Sequence, residues 1–249
     1  MKKMYERPVS PLWHYLKLSG CHWKLNGKSR DIYGDVDFDT QAGKQLRLPA
    51  DICFHGKVRI TQTNRLSPNI IFAGDFHILP VALGTIQEGR LPRLRIPKST
   101  QFLSSVFLNG WHGEWPENIQ FILGHFFWTY SYIRKLPKVF SVHGEMNLSG
   151  SRIKKFPTEL TVHDDAIMPG IQAKSLPEKI ILNRSLMVWS STLEVLPEGL
   201  SVPGDLSIKN SRISKFPDGL CVGGNLDITG TQISLIPETR FIGGEILRN

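Results

Sequence analysis

The fold this sequence predicts is a mainly β, right-handed solenoid of about eleven short coils, with one stacked parallel sheet and little helix. Three observations carry that prediction. Proline falls at Pro137, Pro157, Pro177, Pro197, Pro217 and Pro237, a strict period of 20 residues. Counting the proline as position 1, apolar residues recur at positions 4, 6, 10, 12, 17 and 20 over five full coils. Small or turn-forming residues recur at positions 8 and 14, often with Ser or Thr at 15. A fixed repeat of this length marks stacked units, each too small to bury its apolar face alone.

Each part of the coil follows from its residues. Positions 10 and 12 alternate with polar 9 and 11, the period-two pattern of a strand with one buried face. The expected inward pairs are Met146 with Leu148, Ala166 with Met168, Leu186 with Val188, Leu206 with Ile208 and Leu226 with Ile228. Gly204 and Gly224 precede this strand, where the chain must turn, and Gly150 and Gly230 follow it. Leu176-Pro177 and Leu196-Pro197 close their coils, since proline fixes φ and gives up a donor that an irregular limb need not supply. Twenty residues leave no room for a crossover helix, so the return limb is expected to be extended or a 3₁₀ turn.

The pattern runs backwards with less regularity. Tyr33-Gly34-Asp35-Val36-Asp37-Phe38, Gly56-Lys57-Val58-Arg59-Ile60 and Gly74-Asp75-Phe76-His77-Ile78 match the strand start. Val106-Phe107-Leu108-Asn109-Gly110 keeps the 20-residue step, and Gly124-His125-Phe126-Phe127-Trp128 is read with one extra residue in its coil. Leu16-Lys17-Leu18-Ser19-Gly20 reads as a first, degenerate strand. The expected organisation is an N-terminal cap over 1–29 and a solenoid over 30–249. Between Leu79 and Ser105 the register breaks, because Leu94-Arg95-Ile96 competes with Val106, so 79–105 is expected to hold a loop or distorted coil. Eleven coils at ~4.8 Å each make a rod about 50 Å long.

Composition narrows the class. A chain of 249 residues, 41% hydrophobic, can build its own core. Apolar runs such as Ile119 to Leu123 fall far below a membrane span. The start, Met1 to Pro8, has no apolar stretch behind its two lysines, so no Sec-type signal peptide is expected and the location is read as cytoplasmic. Six Trp and thirteen Phe exclude a disordered chain. Cys21, Cys53 and Cys221 are odd in number and lack CxxC spacing, so free thiols are expected, not a disulfide framework or a zinc site. A net charge of +8 favours acidic partners.

These coils resemble bacterial and phage leucine-rich-repeat proteins of the short type, whose repeat runs LPxGLxVGGxLxLxGTxIxx. Pro197-Glu198-Gly199-Leu200, Val222-Gly223-Gly224-Asn225-Leu226-Asp227-Ile228 and Gly230-Thr231-Gln232-Ile233 carry the likeness, well over 116–249 and loosely over 30–115. They also look like relatives of the proline-marked repeats of secreted effectors of Gram-negative pathogens, without the Leu-Pro-x-Leu-Pro run or the Asn ladder. The resemblance implies a binding scaffold and no reaction.

A solenoid usually docks its partner on the concave sheet face. On that face Phe107, His125, Phe127, Ile167, Met187 and Trp189 are the candidate contact residues, aromatic and Met side chains where a wet face requires polar ones. A second pattern, at positions 16, 18 and 19, stacks Arg134, Lys135, Arg152, Lys154, Lys155, Lys174, Arg212 and Lys215 into a basic ridge with no interleaved aromatic platform. His55, His143 and His163 share position 7, read as a stacked polar rung because no carboxylate or Cys shares that position. Asp35, Asp37 and Asp39, with Asp31 nearby, read as a solvated acidic patch. No catalytic residue, cofactor or metal is expected. The expected function is a non-catalytic protein-binding scaffold, a phage- or bacterium-encoded inhibitor or adaptor that captures a host protein. The alternatives are a translocated virulence effector and a nucleic-acid-binding module using the ridge. Ile242 and Ile246 in the last strand leave an edge at which two copies could pair as a homodimer.

Overall fold

The computed structural model describes residues 11–61, 66–78, 93–234, 236 and 241–248. Its centre is an 11-stranded parallel sheet running in chain order from Val36–Asp37 to Ile246–Leu247, one strand per coil. The inward pairs from Met146 and Leu148 to Leu226 and Ile228 are all buried, so period two reported the buried face correctly. Each such Leu or Ile contributes roughly 1.5–3 kcal/mol by leaving water.

The return limb is extended, and it also pairs. Positions 3 to 6 form a second parallel ladder, seen where Val139–Val142, Glu159–Val162 and Lys179–Leu182 align. Positions 16 and 17 form a third, through His112–Glu114, Tyr132–Lys135 and Arg152–Ile153, continued by single bridges from Arg152 to Gln172 and from Ser175 to Val195. Strands on three sides satisfy backbone groups that one sheet would leave unpaired around the buried interior. The core lies between them, with positions 4 and 6 (Leu160 and Val162) and position 17 (Ile153, Leu193 and Ile213) buried beside the principal strands.

Three readings of the sequence are corrected, and the distorted coil expected over 79–105 takes a definite register. The Leu16 to Gly20 segment is not a strand. Helix α1 spans Pro11–Leu18, with Leu12 and Leu16 four apart on its buried side and Gly20 at φ +76° just beyond its end. The strand Phe126–Thr129 carries no extra residue, since Val106 aligns with Phe126 and Phe126 with Met146, two steps of 20. In the irregular stretch Phe76 aligns directly with Val106, a coil of 30 residues, and Arg93–Leu94 belongs to the third ladder. Residues 79–92 of that coil lie outside the described residues. Finally, the glycines before and after the principal strand serve different needs. Those before it, at position 8, answer close approach: a Cβ on Gly56 would stand 2.2 Å from the Gly34 carbonyl oxygen. The left-handed turn sits at position 14, held by Gly150 and Gly230 and also by Tyr130, Ser190 and Asn210 at φ of 49°, 54° and 53°.

Helix α1 packs on the first coil through Tyr15, whose ring stacks on Phe38 at 5.6 Å and whose hydroxyl donates to the Asp37 carbonyl. The strand His22–Asn26 then pairs antiparallel with Ser29–Tyr33 at the edge of the second ladder. All three cysteines are free thiols. No described helix is long and apolar enough to cross a membrane.

Candidate functional site

The parallel register turns position 11 of the principal sheet into one continuous row. From the N-terminal end it reads Asp37, Arg59, His77, Phe107, Phe127, Asn147, Ile167, Met187, Ser207, Asp227 and Leu247. Its chemistry changes along its length. Asp37 and Arg59 form an ion pair at 2.7 Å. His77 stacks on Phe107 at 4.3 Å, and Phe107 meets Phe127 edge-on at 5.1 Å. Beyond Asn147, Ile167 and Met187 stand half-buried, and Trp189, two residues after Met187, is 43% exposed. A depression of about 530 Å³ opens on this face between Trp189 and Leu247, lined also by Met187, Lys209, Asn225 and Asp227.

Burial and the nearby Lys57 push the His77 imidazole below its ordinary value of 6.5, and Arg59 adds to the shift against the opposing pull of Asp75. Burial alone would raise the Asp75 carboxyl, but hydrogen bonds from Ser104 and Ser105 outweigh it and hold Asp75 below its ordinary 3.8.

His125 belongs to a different device. Position 9 carries a ladder in which side chains accept the backbone N–H of the same position one coil on, interrupted between Glu145 and Asp165, where the Asp165 N–H is taken by Asp164 Oδ1. Ser105 Oγ accepts from His125, His125 Nδ1 from Glu145, Asp165 Oδ1 from Ser185, Ser185 Oγ from Asp205, Asp205 Oδ1 from Asn225, and Asn225 Oδ1 from Glu245. His125 is exposed with its ring 5.8 Å from Phe127, so it borders the apolar row while Nδ1 holds the coil. The signal for this ladder was available as the recurrence of short polar acceptors at position 9, where a corner needs its amides satisfied.

The basic ridge splits. Arg134 lies 3.4 Å from Glu114 and Lys135 2.5 Å from Glu117, exposed pairs that leave little free charge. Arg152, Lys154, Lys155, Lys174 and Arg212 instead line one groove of about 1170 Å³, with Glu178 and Glu194 as its carboxylates. Lys215 is exposed outside that lining. Two aromatics border these cations: Arg152 lies over the Tyr132 ring at 5.6 Å, and Phe156 lines the same groove. Parallel pairing of Tyr132 with Arg152, 20 residues apart, brings them together.

The polar residues weighed for chemistry fall into place individually. The His143 and His163 rings lie one above the other at 4.6 Å, tilted by 38°, as the polar rung. Asp35 accepts the Lys57 backbone N–H at 2.9 Å, Asp37 pairs with Arg59, and Asp39 pairs with Lys44 at 2.7 Å, so each carboxylate of the run has its own local partner. His55 does not stand apart from carboxylate and thiol. Cys53 lies two residues before it on the same side of the chain, and Asp31 is the direct partner of Cys53 on the neighbouring strand. Burial, and then the Asp31 charge, push the Cys53 thiol up. No family model, curated protein or solved structure matches this chain.

Proposed function

We propose that this chain is a non-catalytic scaffold that binds a protein on the outer face of its principal sheet. The observation that supports this reading is the row from Phe107 to Met187, flanked by Trp189, on a sheet face that begins with the polar Asp37 and Arg59 and turns polar again at Ser207 and Asp227. Four strand steps make that row about 19 Å long. Exposed apolar residues elsewhere, such as Phe121 and Ile181 on the second ladder, are separated by Ser141 and Thr161 and form no such run. Two apolar pairs, Phe107 with Phe127 and Ile167 with Met187, stand either side of the single polar Asn147, and with Trp189 they have the aromatic and Met composition of a protein-binding hot spot. The narrower role, an inhibitor or adaptor that captures a host protein, rests on the repeat resemblance alone.

The groove carrying five cations supports a second reading, an anionic partner such as nucleic acid. One experiment separates the two. Affinity capture from the source cell is compared among the natural chain, a Met187→Glu/Trp189→Ala variant and a Lys154→Glu/Lys155→Glu variant, all at unchanged melting temperature. Loss of the captured protein in the first variant alone supports the sheet-face reading. Loss in the second alone, with binding that falls steeply as salt rises, transfers the function to the groove.

A further inference from the structure

We propose that Asp31, Cys53 and His55 form a divalent metal site, suited to Zn²⁺, on the second ladder near the N-terminal end of the solenoid. One ligand atom from each lies within 4.8 Å of the others. The chain assembles the three by simple strand geometry. Asp31 and Cys53 are aligned neighbours on parallel strands, and His55 follows Cys53 by two residues, which returns it to the same side. Carboxylate, thiolate and imidazole together are a borderline-soft donor set of the kind Zn²⁺ takes.

Three features argue for a metal over a chance ion pair. His55 Nε2 stands 3.8 Å from Asp31 Oδ1, too far for a hydrogen bond. Ligands around a tetrahedral ion with bonds of ~2.0–2.3 Å stand roughly 3.3–3.7 Å apart, so small side-chain rotations would close the site. Two of the three ligand side chains, His55 and Asp31, are also held from outside it. The His55 ring stacks on Tyr33 at 4.5 Å and 5°, and Tyr33 stacks in turn on His22 at 5.1 Å. Asn26 Nδ2 donates to Asp31 Oδ2 at 3.1 Å, leaving Oδ1 turned toward the histidine. Such outer partners orient metal ligands. Finally, His55 is 37% exposed and Asp31 14%, so an ion can reach a site whose carboxylate is largely enclosed. Three protein ligands leave one position for water, and the bound ion would clamp strand Ser29–Tyr33 to strand Ile52–Phe54.

The test uses the full reduced chain, Co²⁺ as the spectroscopic probe and Zn²⁺ as competitor. The expected result is one equivalent of Co²⁺ with a thiolate-to-cobalt charge-transfer band, displaced by Zn²⁺, and a melting temperature raised by Zn²⁺. Cys53→Ser abolishes the band, whereas Cys21→Ser and Cys221→Ser keep it. Asn26→Ala, which removes only the outer hydrogen bond, weakens binding about tenfold. Cobalt bound without a thiolate band, no binding at one equivalent, or a band that survives Cys53→Ser in a chain of unchanged circular dichroism overturns the site.

Discussion

The two halves of the solenoid fill the same cross-section in different ways. From Phe126 onward the principal strands step by 20 residues, and the core is a set of aliphatic columns such as Met146, Ala166, Leu186, Leu206 and Leu226. Before Val106 the steps are 22, 18 and 30 residues, as Val36 aligns with Val58, Val58 with Phe76 and Phe76 with Val106. There the core is a chain of touching rings: Phe54, Phe72, Phe76, Phe102 and Trp115, joined to Phe126 and Trp128. Coils of equal length present the same space each time, so one aliphatic residue type stacks on itself. Coils of unequal length leave uneven space, and large flat side chains fill it at native density. The aromatic core that begins in the unequal coils runs on through Trp115, Phe126, Trp128 and Phe140 into the first 20-residue coils, and the aliphatic columns take over beyond Met146.

This contrast can be broken at three strengths. The largest effect is expected from Leu206→Asp, which buries an unpaired charge in the aliphatic columns at a cost of several kcal/mol. Because each coil touches mainly its neighbours, amide exchange should rise through 186–228 while protection around Phe54 and Phe72 persists. Uniform loss across the chain would show that the halves fold as one unit.

An intermediate effect is expected from acid, and it should fall on the aromatic half. His77 is held below its ordinary value of 6.5, so the unfolded chain takes up its proton first. Stability contributed by neutral His77 is present above pH 6.5 and is lost as pH falls from there toward its folded value. Asp75 adds stability that is present above 3.8 and is lost as pH falls through its own, lower folded value. His77→Phe, which extends the stack onto Phe107, should flatten the first of these losses in a pH series of thermal melts. An unchanged profile would assign the acid response to other groups.

The smallest effect concerns the left-handed corner. Ser190→Gly should stabilise the regular half by up to about 1 kcal/mol, since relief of the strained φ is partly offset by unfolded-chain entropy. At the same corner Tyr130→Gly should gain less or destabilise, because the Tyr130 ring packs where a Cβ on Gly150 would fall, 2.7 Å from it. Equal gains in denaturant midpoint at both sites would mean that the Tyr130 ring contributes nothing.

The sequence by itself determined the coil, its 20-residue length from Pro137 on, and the buried columns, because a repeated apolar position can only be satisfied by stacking. It also determined which residues line the outer face, since period two allots Phe127, Ile167 and Met187 to the side opposite Trp128, Met168 and Val188. It did not determine helix α1, where Leu12 and Leu16 carry a helical spacing in a stretch too short to outweigh the strand pattern that follows. Nor did it determine which polar residues meet. Asp31 and Cys53 are 22 apart, Tyr132 and Arg152 are 20 apart, and Asp205 reaches the Asn225 amide only because parallel strands set one coil directly upon the next. Burial is written in each residue's own hydrophobicity and period, whereas cross-coil chemistry depends on register between segments distant in the chain. Only the tertiary structure decides that register, because it is set by packing of the whole coil, down to corners where Gly56 lies too close to Gly34 to carry a side chain.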